Sequence, residues 1–280
     1  MNIRLKLLLG LFLFCSLAAG LYLLPRSVVS KAQAEGEAQN PEKKAENNPE
    51  NQSAAHAPHQ LSPETESELN QIRNELGKAA DNRKKSEISA SLAESFQKAG
   101  RFDSAAHWYE NAMKFDPSAS YAYEAGTALF NGLAFISSPS ALEAAAGKAR
   151  KYLESLPSTD ARYPEAQARA SLTWVNSASP MKGILKLREL AESYPENSFI
   201  SFQLGMLSYQ SNQFDKAVGR FQKVVSLEDT NQTAWFYLAN ALLQTGKNEE
   251  ARKAAQSGMK LAKDEQTRTS FEEIIQKAKN

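Results

Sequence analysis

The sequence predicts an all-α protein built from repeated helix pairs, and three observations support that prediction. Small residues recur at two fixed points of a 34-residue period along the chain. Glycines and prolines fall where the helices of such a period must end. Alternating runs of valine, isoleucine and threonine, which would indicate strands, are nearly absent. A period of this length is typical of a solenoid in which each unit stacks on the next.

The repeat is clearest when its units begin at Ser86, Ser120, Pro164, Ser198 and Gln232. The eighth position of each unit is then small: Ala93, Thr127, Ser171, Gly205 and Ala239. The twentieth position is also small if an interruption is allowed in the second unit: Ala105, Ala145, Gly183, Ala217 and Ala251. Position 24 holds Tyr109, Ala149, Leu187, Phe221 and Ala255. Antiparallel helices approach closely only where their facing side chains are small. We therefore predict about five helix pairs, at 86–119, 120–157, 164–197, 198–231 and 232–263.

Helix-ending residues agree with these units. Gly100 and Gly246 follow the first helix of a pair, where glycine adopts a left-handed conformation at little cost. Prolines 117, 157 and 195 fall where the second helix must stop, because proline lacks the N–H that would continue it. The second unit carries extra residues at 137–139 and 155–163. Its internal turn and its exit loop are therefore predicted to be longer than those of the other units.

A helix is predicted on each side of the repeats. Ser62-Pro63-Glu64 is a typical helix start, followed by Leu69, Ile72 and Leu76 at helical spacing. Residues 79–85 are predicted to join this helix to the first unit. At the other end, residues 264–279 are predicted to form a capping helix with Phe271, Ile274 and Ile275 on one side.

The pattern resembles the tetratricopeptide repeat family, whose signature is W-x2-L-G-x2-Y, then A-x3-F, then P. The best match is the fifth unit, with Trp235, Leu238, Ala239, Leu242, Gly246 and Ala251. The resemblance covers about residues 84–263 and implies a right-handed α-solenoid, so that residues 62–280 form a tetratricopeptide domain.

Residues 1–26 differ in kind from the repeats. The stretch from Leu7 to Leu24 carries no charge, and as a helix it would be about 27 Å long, close to the thickness of a bilayer core. We predict an uncleaved signal anchor in the membrane; the alternative is export after signal cleavage near Ala34. Arg4 and Lys6 favour a cytoplasmic amino terminus, which places the repeats outside the cytoplasm, on the periplasmic side in a Gram-negative cell.

Residues 27–61 are predicted to be a disordered tether. Large apolar residues nearly vanish after Val29, while Ala, Glu, Asn, Gln, Lys and Pro dominate. Such a segment does not bury enough apolar surface to offset the entropy cost of ordering it.

No residue pattern indicates an enzyme, a metal site or a cofactor site. The sequence contains no phosphate-binding or dinucleotide-binding glycine motif and no H-E-x-x-H motif. Its three histidines are His56, His59 and His107, and its one cysteine, Cys15, lies within the apolar stretch. With a net charge of +1 and no long basic stripe, nucleic acid is a poor candidate partner.

The resemblance implies that a ligand lies against the first helix of each pair, at unit positions 2, 5, 9, 12 and 13. The residues expected there are aromatic or apolar towards the C-terminal end and polar or acidic towards the N-terminal end. The candidate groove residues are Tyr121, Asn131, Phe199, Phe202, Met206, Tyr209, Phe236, Asn240 and Leu243. The opposing interpretation is that the aromatic members pack under the neighbouring unit or under the C-terminal helix.

Together these features predict a membrane-tethered, non-catalytic module that binds a peptide segment or helix of a partner protein. The architecture is similar to tetratricopeptide factors of cytochrome c biogenesis and to other envelope assembly factors. The alternative is a structural scaffold whose copies self-associate through the aromatic face.

Overall fold

The computed structural model describes residues 61–175 and 177–279, and every regular element within these ranges is helical. The predicted signal anchor and residues 27–60 of the predicted tether lie outside the described residues. Among the helices of the described ranges, none has the length and apolar character needed to cross a bilayer.

Twelve α-helices follow one another in the described part of the chain, and five successive pairs of them form an α-solenoid. The helices are α1 (Pro63–Lys78), α2 (Asn82–Lys98), α3 (Phe102–Phe115), α4 (Ala119–Gly132), α5 (Pro139–Glu154), α6 (Tyr163–Val175), α7 (Pro180–Ser193), α8 (Ser198–Gln210), α9 (Phe214–Leu227), α10 (Gln232–Gln244), α11 (Asn248–Met259) and α12 (Glu265–Lys277). The pairs are α2 with α3, α4 with α5, α6 with α7, α8 with α9, and α10 with α11. Helix α1 packs before the first pair and α12 after the last.

Close approach of the paired helices depends on the predicted small residues. All five residues at unit position 8 are buried, as are Ala105, Gly183, Ala217 and Ala251 at position 20. A Cβ atom built on Gly183 would lie 2.3 Å from the carbonyl oxygen of Ser171 on the facing helix. One built on Gly205 would lie 2.7 Å from the Phe221 ring. At both glycines the space that a side chain would need is already filled by the facing helix.

The second unit has the longer connections expected of it. After α4 the chain forms a short 3₁₀ turn at Leu133–Phe135, and α5 begins only at Pro139. The exit from α5 runs over residues 155–162, whereas residues 116–118 suffice after α3.

The predicted register of the second unit is wrong by about one helical turn. Ala145, placed at position 20 by the sequence, is only half-buried, whereas Ala149 and Leu153 are both 0% exposed. Ala149 therefore occupies the close-contact position, and Leu153 takes the role of the bulky residue four positions later. The extra residues after Gly132 lengthen α5 at its start, which is why counting from the first helix misplaces the contact.

Side-chain caps fix the starts of α1, α2 and α12. Ser62 Oγ accepts a hydrogen bond from the backbone N–H of Thr65 (3.2 Å), so α1 begins where the sequence indicated. Asp81 Oδ1 accepts one from Lys84 N–H (2.8 Å), so α2 begins at Asn82 and the join from α1 is shorter than predicted. Asp264 Oδ1 caps α12 in the same way, through Thr267 N–H at 2.8 Å.

The two flanking helices close the ends of the hydrophobic core. Leu69 on α1 is 1% exposed and packs in one cluster with Leu92 and Phe96 of α2. At the other end, Phe271 on α12 is 1% exposed and packs in a cluster with residues of α9, α10 and α11. These contacts cover the apolar faces that the terminal units would otherwise present to water.

Candidate functional site

The candidate site lies on the sides of α2, α4, α6, α8 and α10 that are not covered by their paired helices; we call this surface the inner face. Neighbouring first helices contact each other in the later units, α4 with α6, α6 with α8, and α8 with α10. Between α2 and α4 the inner face instead opens into a cavity of about 630 Å³. A cavity of this size is in the range of ligand pockets.

The cavity is lined by side chains from three helices of the first two units. Helix α2 supplies Ala90, Glu94, Gln97 and Lys98, helix α3 supplies Tyr109, and helix α4 supplies Ser120, Tyr121 and Glu124. The four α2 residues stand at unit positions 5, 9, 12 and 13, and Tyr121 and Glu124 stand at positions 2 and 5. These are the positions at which the sequence resemblance places a ligand. They lie in the polar, N-terminal half of the inner face, whereas most of the predicted groove residues lie in its C-terminal half.

The electrostatics of the cavity are dominated by carboxylates. Tyr109 is 4% exposed, and burial raises the pKa of its hydroxyl, with the nearby charges of Glu124 and Glu94 adding to the shift. Burial also raises the pKa of Glu124, although Arg162 and Arg169 act in the opposite direction. A negatively charged wall next to a buried phenol favours a cation over an anion in this cavity.

Arg162 stands at the edge of this wall but is already engaged. Its Nη1 lies 3.8 Å from Glu124 Oε1. Its Nε and Nη2 donate to the two carboxylate oxygens of Asp160 at 3.0 and 2.8 Å, and the guanidinium carbon lies 4.7 Å from the centre of the Tyr123 ring. The charge of Arg162 is therefore shared between Asp160 and Glu124.

A second arginine lies further along the inner face. Arg169 pairs with Glu165 one turn earlier on α6, and its guanidinium carbon stands 4.6 Å from the centre of the Phe199 ring. The sequence prediction missed both inner-face arginines. Arg169 occupies position 6 of its unit, beside a ligand position, and Arg162 precedes its unit altogether. The prediction considered only unit positions 2, 5, 9, 12 and 13, and neither arginine stands at one of these.

Among the predicted groove residues, Tyr121 lines the cavity, and the other eight lie elsewhere on the first helices. Asn131 is half-buried near the end of α4, and Phe199 lies under Arg169. Asn240 is half-buried and its Nδ2 donates to the carbonyl of Phe236 at 3.0 Å. The remaining residues are half-buried against the core of the last units: Phe202, Met206, Tyr209, Phe236 and Leu243.

The C-terminal aromatic side chains pack mainly on one another. Tyr237, which the sequence prediction did not select, lies 6.4 Å from Phe202, 5.5 Å from Tyr209 and 5.7 Å from Phe236 between ring centres. Phe236 also lies 5.7 Å from Phe271 of the capping helix. Ring contacts of this kind stabilise the stacking of units. These aromatic residues therefore have a packing role, whereas the cavity described above lies between α2 and α4.

The described residues contain no group of three or more histidine, cysteine, aspartate or glutamate side chains able to hold a metal ion. His107 is exposed on α3, with its ring centre 5.7 Å from that of Trp108. His56, His59 and Cys15 lie outside the described residues.

Comparison with known proteins supports the tetratricopeptide repeat for this chain. Residues 187–268 match the tetratricopeptide repeat family model, which spans the last units and part of the capping helix. Comparison with the curated proteins finds no match. Many solved structures are similar, among them a thermophilic TPR protein of Thermus thermophilus, with 19% identity, a TM-score of 0.50, and coverage of 68% of this chain and 99% of that one.

Two further structures show the same fold. The assembly chaperone of RpL4 has 12% identity and a TM-score of 0.51, with 77% of this chain and 90% of that chain covered. A chain of the APC/C hetero-tetramer Cut9–Hcn1 has 13% identity and a TM-score of 0.53, with 76% of this chain covered but only 40% of that one. The fold is that of tetratricopeptide proteins.

Proposed function

We propose that this protein is a non-catalytic, membrane-tethered module that binds a peptide segment or helix of a partner protein on its inner face. In this role it would act as an assembly factor in the cell envelope. The observation that supports it most strongly is the open cavity between α2 and α4, because its walls are formed at the unit positions expected to meet a ligand.

The contrast between the two halves of the inner face favours docking at the N-terminal half. In the C-terminal half, the large side chains contact one another and the capping helix, so little of their surface remains for a partner. In the N-terminal half, Glu94 and Lys98 are exposed, and Gln97 and Tyr121, although half-buried, border an open volume. We therefore place the partner's main contacts on α2 and α4, with the aromatic residues supporting the stack.

The membrane tether rests on the sequence of residues 1–26 and on the polar composition of the segment that follows it. An uncleaved apolar stretch of eighteen residues, Leu7 to Leu24, would hold the repeats near the membrane outside the cytoplasm. We expect the full-length mass to be retained in washed membranes. A soluble product shortened by about the first 34 residues would instead show signal cleavage and release.

Site-specific photocrosslinking tests the inner face directly. A benzophenone amino acid would replace Tyr121 in the cavity or, as the control, Leu185 on α7, which is 51% exposed on the second helix of a pair. In the native membranes, we expect position 121 to give one discrete adduct with a different protein and position 185 to give none.

Other adduct patterns would contradict the proposal. Adducts that contain only a second copy of this chain, formed from position 121, would favour the self-associating scaffold. Equal capture of the same proteins from positions 121 and 185 would show that the inner face has no special role.

A further inference from the structure

We propose that the cavity between α2 and α4 is a recognition pocket for a positively charged side chain, an arginine or lysine of the bound peptide. This inference rests on the proposed function and adds to it the chemistry of the partner. It is carried by the set of hydrogen-bond acceptors that the first two units bring together around one open space.

Four side chains that carry hydrogen-bond acceptors line the cavity from three helices. Glu94 and Gln97 lie on α2, Glu124 lies on α4, and the hydroxyl group of Tyr109 comes from α3. Both glutamates are close enough to Tyr109 to influence its hydroxyl group, which places all three groups around the same volume. An ammonium or guanidinium group has only donors to offer, so a pocket rich in acceptors suits it.

Two of these polar groups have no hydrogen-bond partner among the described residues: the Tyr109 hydroxyl, on a side chain that is 4% exposed, and the Gln97 amide oxygen. The Oε1 atom of Gln97 is buried. Buried polar groups are normally satisfied, and leaving them unsatisfied destabilises the fold. A ligand that donates hydrogen bonds into the cavity would satisfy them.

The charge balance also favours a cation. Glu94 forms no ion pair within the described ranges, and Glu124 is paired only with Arg162 at 3.8 Å. The guanidinium of Arg162 is held by both carboxylate oxygens of Asp160. Among the described residues, Lys98 is the one basic side chain that lines the cavity beside the two glutamates, and it is exposed. At Glu124, burial still outweighs the charges of Arg162 and Arg169, so the pKa of its carboxyl remains raised. A cationic side chain entering the cavity would compensate this partly buried carboxylate further.

Tyr121 adds an aromatic wall to the pocket. It is half-buried and lines the cavity from α4 three residues before Glu124, so the ring and the carboxylate lie on the same side of the helix. Cations are attracted to the faces of aromatic rings, and arginine more often than lysine makes such contacts. We therefore expect arginine to bind at least as well as lysine.

A peptide selection with the full-length protein tests the pocket. Random twelve-residue peptides would be displayed, selected for binding, and then measured by fluorescence anisotropy against three proteins. These are the wild type, the pocket variant Glu94→Gln/Glu124→Gln, and the control Glu189→Gln/Glu192→Gln. The control glutamates are exposed on α7, so it changes the net charge equally away from the pocket.

The proposal predicts that selected peptides share a basic residue and bind the pocket variant about tenfold more weakly, or worse, as expected for loss of a hydrogen bond to a charged group. Binding to the control variant should match the wild type. Changing the shared arginine to lysine should preserve most of the affinity, while citrulline, which is neutral and similar in shape, should lose it. Tyr109→Phe should weaken binding as well without changing the overall charge.

Failure of the pocket and failure of the proposed function give different results. Peptides that crosslink to position 121 but bind the pocket variant and the wild type equally would overturn the cationic pocket and leave the inner face as a docking surface. Peptides that tolerate citrulline would overturn it in the same way. If no selected peptide crosslinks to the inner face, the proposed function fails and the pocket inference fails with it.

Discussion

Replacing Gly183 with alanine tests whether the repeat depends on its small residues. The added methyl group would lie 2.3 Å from the carbonyl oxygen of Ser171 and 3.0 Å from side-chain atoms of Trp174 and Val175. A backbone oxygen in the facing helix has no freedom to move aside, so α6 and α7 must separate. Overpacking of this kind costs about 1–3 kcal/mol, while alanine gains about 1 kcal/mol in helix propensity over glycine.

The clash is with backbone, so we take the upper part of that range and expect Gly183→Ala to lower the free energy of unfolding by about 1–2 kcal/mol. Gly219→Ala is the matched control. Gly219 is an exposed residue within α9, and a Cβ atom built on it meets nothing within 4 Å. There only the propensity gain applies, so the same substitution should raise the free energy of unfolding by about 0.5–1 kcal/mol.

Urea denaturation of the full-length proteins, followed by circular dichroism at 222 nm, measures both changes. Opposite signs for the two alanine variants would support close helix approach at Gly183. If Gly183→Ala stabilised the protein as much as Gly219→Ala does, the packing interpretation of the small positions would be wrong.

Three further substitutions test the cavity, a helix end and the C-terminal cap. Burial raises the pKa of Glu124 above its usual 4.5, so ionised Glu124 destabilises the fold. Glu124→Gln should therefore raise the melting temperature at pH 7, and its advantage should shrink as the pH falls towards 4.5. Gly246 has a φ of +72°, and Gly246→Ala should cost about 1–2 kcal/mol in urea denaturation because a left-handed conformation is strained for alanine. Phe271→Ala removes a ring that is 1% exposed and should cost about 3–5 kcal/mol. Since units stack in a line, hydrogen exchange should speed up in α10–α12 and remain unchanged in α2–α4.

A control or a contradicting result can be stated for each of these predictions. Glu66→Gln on α1 removes an exposed carboxylate and should leave the melting temperature unchanged; an equal rise in both variants would rule out burial as the cause. Gly77→Ala meets no neighbouring atom and should not destabilise α1. Uniformly faster exchange along the whole chain in Phe271→Ala would show that the units unfold together and not from the end.

The order of the helices could be predicted because the positions where paired helices touch accept only small residues. Ala93, Ala105, Ala217, Ala239 and Ala251 each stand where two helices touch, so a fixed spacing identifies them without knowledge of the fold. The register of α5 was not predictable in this way. Extra residues between α4 and α5 break the count, and both Ala145 and Ala149 are small enough to satisfy it. Only burial distinguishes them.

The inner face was predictable in position but not in character. Residues at positions 5 and 9 of a unit lie on one side of the first helix, but their spacing does not show whether they face solvent or the next unit. The Phe202 ring reaches Tyr237 of α10 and the Phe236 ring reaches Phe271 of α12, so both pack along the stack. Glu94 and Glu124 are shorter and charged, and space remains around them. Whether such a residue faces solvent or packs depends on how its side chain meets the neighbouring unit, and the spacing within one repeat does not show that contact.

The most direct measurement is a hydrogen-exchange footprint of the full-length protein with and without a peptide from the selection described above. If the inner face at the N-terminal end is the docking surface, protection on binding should be confined to α2 and α4, with α9 and α11 unchanged. Protection that falls mainly on second helices such as α5, α7 and α9, with none at α2 or α4, would show that the partner binds elsewhere.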